Sequence, residues 1–193
     1  MRVRVDAQSR FWAEVPAAFP AEAVADRAAW RRDVVERVRS VRSAAGGDLV
    51  AHEVDAVEAI ADAALDALAP GAAFGLLFLP WPHPVAALVH VEVGGPRAGG
   101  ADPLAMLLGG IPVARTPQVE TVEVPGLGSG VSVRFLVEPP DAEPGGEPGA
   151  GIGYLVRGEH CAVRVTTSPM TTTMAGLIDG PLREVVSTLR IEE

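Results

Sequence analysis

Between Ile152 and Val165 the sequence leaves the backbone little choice. Ile152, Tyr154 and Val156 recur at every second position, Gly158-Glu159 supplies a turn, and Ala162, Val163 and Val165 continue on the return strand. Such a hairpin has one apolar face, and that face has to be covered. After a loop from Thr166 to Thr173, the residues Leu182, Val185, Val186 and Leu189 recur at helical spacing and form a stripe able to lie across it. Asp179 followed by Pro181 predicts where that helix starts. A sheet packed by a helix is a two-layer arrangement, so the predicted class is α+β, an antiparallel sheet covered by helices, with this last helix closing it.

The upstream residues extend both layers. Phe11, Trp12, Val15, Pro16, Phe19 and Pro20 predict a short edge strand bounded by prolines. From Glu22 to Arg42, Trp30, Val34, Val38 and Val41 recur every three or four residues, until Gly46-Gly47 stops the helix. A second helix is predicted from Asp48, as its cap, to Leu68, with Val50, Val54, Val57, Ala61, Ala64, Leu65 and Leu68 as its stripe. Its polar positions Glu53, Asp55, Glu58, Asp62 and Asp66 are all acidic, whereas the first helix carries six arginines. The short glycine connection makes the two antiparallel neighbours of complementary charge, each exposed pair worth about 0–1 kcal/mol. The alternative is that one of them presents its charge to a partner.

Phe74 to Leu79 and Val85 to Val93 predict two further strands, joined by Pro80-Trp81-Pro82-His83-Pro84. Asp102-Pro103 opens a short helix, Leu104 to Leu108, stopped by Gly109-Gly110. Val119, Val122 and Val124, then Val131, Val133, Phe135 and Val137, give a strand pair around Pro125 to Ser129. The stretch Pro139 to Gly151, rich in Pro and Gly, has almost nothing to bury and reads as a mobile internal loop within a single domain spanning 1–193.

Composition then limits the function. A net charge of −9 opposes general attraction to nucleic acid or anionic membrane, although all 16 basic residues are Arg. No run approaches the roughly 20 apolar residues of a membrane span. The start lacks the apolar centre of a secretory signal, which points to the cytoplasm. Cys161, the only cysteine, excludes an intramolecular disulfide and reads as a small buried hydrophobe in mid-strand. Gly126 to Gly130 fails the dinucleotide pattern because Val131 holds the sixth position and strand follows. The four histidines, His52, His83, His90 and His160, show no ligand spacing, so no metal, no cofactor and no catalytic constellation is predicted. The candidate binding residues are Trp81, displayed between prolines, His83 beside it, and the pair His90 and Glu92 on one strand face.

The pattern of Phe11, Val15-Pro16 and Phe19-Pro20, the antiparallel strands and the terminal helix running into Ser187-Thr188-Leu189-Arg190-Ile191 resembles the PsbP-like fold. That group includes the photosystem extrinsic subunit, a Ran-binding nuclear import factor and small bacterial proteins of unknown role. The helical pair departs from its simplest version and would be an insertion after the first strand. The resemblance implies a protein that binds partners and transfers no catalytic residue. Two functions follow. One is a cytoplasmic, non-catalytic accessory or adaptor protein with a protein partner, homo-oligomers included. The other is an enzyme or small-ligand carrier with a pocket between helices and sheet, lined by His90, Glu92 and His83.

Overall fold

The computed structural model describes residues 2–8, 10–21, 24–80, 85–95, 102–138 and 148–192. The elements run β1 (Arg2–Arg4), β2 (Trp12–Pro16), α1 (Arg27–Ala44), α2 (Ala51–Ala67), β3 (Phe74–Phe78), β4 (Ala87–Gly94), α3 (Pro103–Leu108), β5 (Gln118–Val124), β6 (Gly128–Val137), β7 (Gly149–Arg157), β8 (Ala162–Thr167), α4 (Thr172–Ser187) and β9 (Arg190–Glu192). Seven strands are hydrogen-bonded in the order β2-β3-β4-β8-β7-β6-β5, and β1 pairs with β9 in a separate two-stranded sheet. The class is α+β with an antiparallel sheet, as the alternation and the helical stripes predict. No helix of the described residues is long and apolar enough to cross a membrane. The chain groups into two compact units, Ala7–Leu88, and Met1–Asp6 together with Val89–Glu193.

In the unit Ala7–Leu88, helix starts are set by whichever side chain reaches the free N–H groups. Asp26 accepts from the Ala29 N–H at 2.7 Å, which places the first residue of α1 at Arg27 instead of near Glu22. Asp48 is not the cap of α2, contrary to expectation. That helix begins after Val50, whose N–H donates to the Glu53 carboxylate at 3.1 Å, so Glu53 reaches back where no cap side chain reaches forward. Trp30, Val34 and Val35 of α1 pack with Val57, Ala61 and Ala64 of α2 and with Ala13, Val15 and Leu77 of the strands. The two helices pair through charge as the sequence predicts: Arg27 to Asp62 at 2.8 Å and Asp66 at 2.7 Å, Arg31 to Asp62 at 3.1 Å, Arg42 to Glu53 at 3.2 Å. Arg39 instead joins Glu36 of its own helix, at 2.6 Å.

The outer edge of β2 is closed. The Leu79 N–H donates to Phe11 O, so alternation turns the carbonyls of Trp12 and Glu14 away from β3. Arg37 donates to Trp12 O at 2.8 Å and the Trp30 indole N–H to Glu14 O at 2.7 Å, while Pro16 has no N–H to offer.

In the other unit, the Gly158 N–H donates to Cys161 O at 2.8 Å and closes the β7–β8 hairpin. Cys161 therefore precedes β8 instead of lying mid-strand. It is buried as expected, and burial pushes its thiol pKa up. Asp179-Pro181 does not start the closing helix. Thr171 does, its hydroxyl accepting from the Met174 N–H at 3.2 Å, and Pro181 sits inside α4. An interior proline costs a helix about 3 kcal/mol. Met174, Ile178, Leu182, Val185 and Val186 are all buried, each contributing about 1.5–3 kcal/mol, and their sum carries the helix through.

The expected loop Pro139 to Gly151 ends too late. Residues 139–147 lie outside the described residues, but β7 has begun by Gly149, and Ala150 is buried. Glycine there serves packing: a Cβ on Gly151 would lie 2.4 Å from Phe135 Cζ, and one on Gly153 would lie 3.2 Å from a Leu107 methyl. A connection the sequence did not reveal joins the chain's ends. Val3 pairs with Ile191, and the Asp6 N–H donates to the Thr188 hydroxyl at 2.8 Å.

The hydrogen bonds from Arg27 and Arg31 hold the Asp62 carboxyl below the usual range, and those from Arg27 do the same for Asp66. A depressed folded-state pKa adds stability that is present above the unfolded pKa of about 3.9 and is lost as pH falls through the folded value. Asp62→Asn should therefore lower the melting temperature slightly at neutral pH and low salt, and less in high salt. Melting the two proteins at falling pH should bring their curves together; a gap that persists in acid would mean the asparagine disturbs packing instead. A second test concerns Gly151→Ala, which should cost about 1–3 kcal/mol by overpacking. Urea denaturation of Gly151→Ala in a Phe135→Leu background should show a smaller penalty, since the ring is what a methyl meets.

Candidate functional site

Two of the predicted site residues, Trp81 and His83, lie outside the described residues. His90 and Glu92 lie together on one face of β4. In the β4–β8 register His90 is opposite Thr166 and Glu92 opposite Arg164, and Thr166 is in turn opposite Gly153 of β7. Side chains directly opposite share a face, so His90, Glu92 and Arg164 stand on the side where Leu107 of α3 packs against Gly153.

The structure directs the two candidate side chains to different partners. Both Glu92 carboxylate oxygens lie 2.6 Å from Nη2 of Arg164, whose Nη1 donates to Met106 O at 3.2 Å. His90 Nε2 lies 2.9 Å from the Ser168 hydroxyl, and the residue is 8% exposed. Burial pushes the imidazole pKa below its ordinary value, with Glu92 opposing that shift and Arg164 reinforcing it. Among the described residues no three His, Cys, Asp or Glu side chains form a metal-binding group.

The opposite face carries a cleft. The β6–β7 register sets Arg134 against Ile152 and Ser132 against Tyr154. Adjacent strand residues point to opposite faces, which puts Ile152 away from Gly153 and hence away from His90. Arg134 reaches α4 as a fork, Nε to Asp179 Oδ1 at 2.9 Å and Nη2 to Asp179 Oδ2 at 3.1 Å, and its Nη1 meets Glu120 of β5 at 3.2 Å. Arg183 approaches the same Glu120 at 3.4 Å. Beside this network lies a cleft of about 440 Å³ whose lining includes Arg115, Gln118, Arg134, Ile152, Gly176 and Asp179. Hydrogen bonding to Asp179 and then to Glu120 raises the Arg134 pKa further, so its charge is fixed.

Beneath the network two hydroxyls are buried: among the described residues Ser132 Oγ has no hydrogen-bond partner, and Arg183 is the side chain that approaches the Tyr154 OH. Burial pushes the Tyr154 pKa up and Asp179 adds to it, while Arg134 and Arg183 oppose it. That phenol stays protonated and is no nucleophile. The alternative function was expected to use a pocket between helix and sheet. Such a cleft exists, but neither His90 nor Glu92 lines it.

Sequence reasoning passed over Arg115, Arg134 and Asp179. One signal was available: on a strand whose odd positions are Val131, Val133, Phe135 and Val137, Arg134 must point to the other face. Asp179 was read as a helix start and so was never considered as its partner. Compared with protein-family models and with curated proteins, the chain matches none.

His90 gives a local test. Because its folded pKa is lowered, its contribution to stability is complete above about pH 6.5 and is lost as pH falls towards the folded value. Removing Arg164 takes away a cation and strips Glu92 of its partner, so Arg164→Ala should raise the His90 pKa. Glu92→Gln should lower it. Imidazole titration by NMR in the two variants reads both shifts, and movement in the same direction would contradict the arrangement.

Proposed function

We propose that the chain is a cytoplasmic, non-catalytic accessory protein that binds another protein by adding an extended segment of it to the edge strand β5. One observation carries this reading. β5 ends the strand order, has β6 as its one strand neighbour among the described residues, and exposes five of its seven residues, Val119 at 50%. Every second residue of such a strand turns its N–H and C=O outward, a row that pairs with a segment of another chain. At β2 the outward carbonyls are taken up by Arg37 and Trp30. Among the described residues no side chain does this for β5.

Charge favours a particular kind of segment. Glu120 is held by Arg134 and Arg183, but Glu123 stands on β5 without an ion pair among the described residues, in a chain of net charge −9, so a second copy of the strand is repelled and a basic, extended segment is attracted. The PsbP-like resemblance, whose members bind partners, points the same way. The experiment is affinity purification from the native cell with the wild-type chain, Val119→Asp and Glu123→Arg. Both are surface changes expected to alter stability by no more than about 0.5 kcal/mol. A protein held by the wild type should be lost or weakened in both. Retention by both variants together with loss in Trp81→Ala would move the interface to the proline-framed segment and overturn the β5 reading.

A further inference from the structure

We infer that the cleft between α4 and strands β5–β7 is a binding site for a small monoanion with an apolar body, a carboxylic acid of the alkyl or aryl class. The inference is independent of the β5 edge and concerns the helix-covered face. About 440 Å³ falls in the range of small-molecule sites, roughly 300–1,000 Å³. The walls supply the apolar part: Ile152, Leu136, Ala150 and Ala175 line it, and at Gly176 a Cβ would have no atom within 4 Å, so the space beyond that glycine is open.

The charges supply the sign. Among the described residues three ionisable groups line the cleft: Arg115, Arg134 and Asp179. Arg134 and Asp179 neutralise each other through two parallel hydrogen bonds, and the remaining Arg134 nitrogen faces Glu120. Arg115 is exposed and makes no hydrogen bond or ion pair with any described residue. One uncompensated guanidinium beside apolar walls matches one carboxylate on an apolar body, because guanidinium and carboxylate pair through two parallel N–H···O bonds. A phosphate dianion suits the site less, since Asp179 would stand near its second charge. Gln118, Thr116 and Thr172 add neutral polar groups at the rim.

Octanoate is the probe, with octylammonium and 1-octanol as its charge-reversed and neutral counterparts, titrated into the full chain by calorimetry at neutral pH. Octanoate should bind, and bind best of the three. Arg115→Gln, an exposed change that leaves the fold intact, should weaken it roughly tenfold or more, the usual effect of losing a hydrogen bond to a charged group. Gly176→Leu fills the cleft from a helical position with open space ahead of it, and leucine is the better helix former, so binding should vanish while the melting temperature holds or rises. The inference is overturned if octanoate fails to bind at millimolar concentration, if octylammonium or 1-octanol binds as well, or if either variant binds octanoate as the wild type does.

Discussion

β7 is covered on both faces, and that constraint decides what its neighbours are allowed to be. Residues 150–156 are buried without a break. A strand enclosed in this way cannot alternate apolar with polar, as a strand with one wet face does. On the α4 side it presents Ile152, Tyr154 and Val156. On the α3 side glycine stands at 151 and 153, because Phe135 and Leu107 occupy the space a Cβ would need. A strand glycine costs about 0.5–1 kcal/mol relative to alanine. The large side chains that the glycines admit contribute about 1.5–3 kcal/mol each, so packing wins over backbone freedom.

The same enclosure explains the distribution of polar groups. With both faces of the strand dry, the ionic contacts form around its flanks, Glu92 with Arg164 on one side and Arg134 with Asp179 and Glu120 on the other. Partly exposed pairs of this kind contribute little net stability. Their use is geometric: the Arg134 fork fixes one rotation of α4 about its axis. That rotation turns Ile178 and Leu182 into the core, and Thr172, Ala175, Gly176 and Asp179 towards the cleft. Ser132 is the exception, a buried hydroxyl with no partner among the described residues, a cost of order 1–3 kcal/mol.

What the sequence made legible was periodicity. The β7–β8 hairpin, the β5–β6 pair, α3 and the stripes of α1 and α2 all follow from residues a few positions apart. The α4 start was misread because Pro181 at a first turn is a local preference. The decisive signal was Met174 and Ile178 continuing the stripe of Leu182 at four-residue spacing. β1 and β9 escaped because a three-residue strand carries no usable period and its partner stands near the other end of the chain. At the candidate site the face of His90 and Glu92 was legible. Their partners were not, since Arg164 lies 72 positions from Glu92 and nothing in a spacing marks it. Arg134 and Asp179 are likewise 45 positions apart, joined by tertiary packing alone.

Net charge and local charge also give different answers, and distance decides between them. At physiological ionic strength the field of a charge fades over about 8 Å, so a small anion outside the chain is affected by the total of −9 only weakly. Once inside the cleft it meets a lining whose ionisable groups sum to one positive charge, Arg115 and Arg134 against Asp179. The sum holds against pH, because hydrogen bonding pushes the Arg134 pKa further up and a guanidinium does not deprotonate in proteins. For the β5 edge the unpaired Glu123 adds to an acidic whole, Glu120 being held by Arg134 and Arg183, so the two surfaces select opposite charges. A chain of acidic composition can therefore still match a carboxylate in this cleft, and the match is set by Arg115, which the fold leaves without an acid among the described residues.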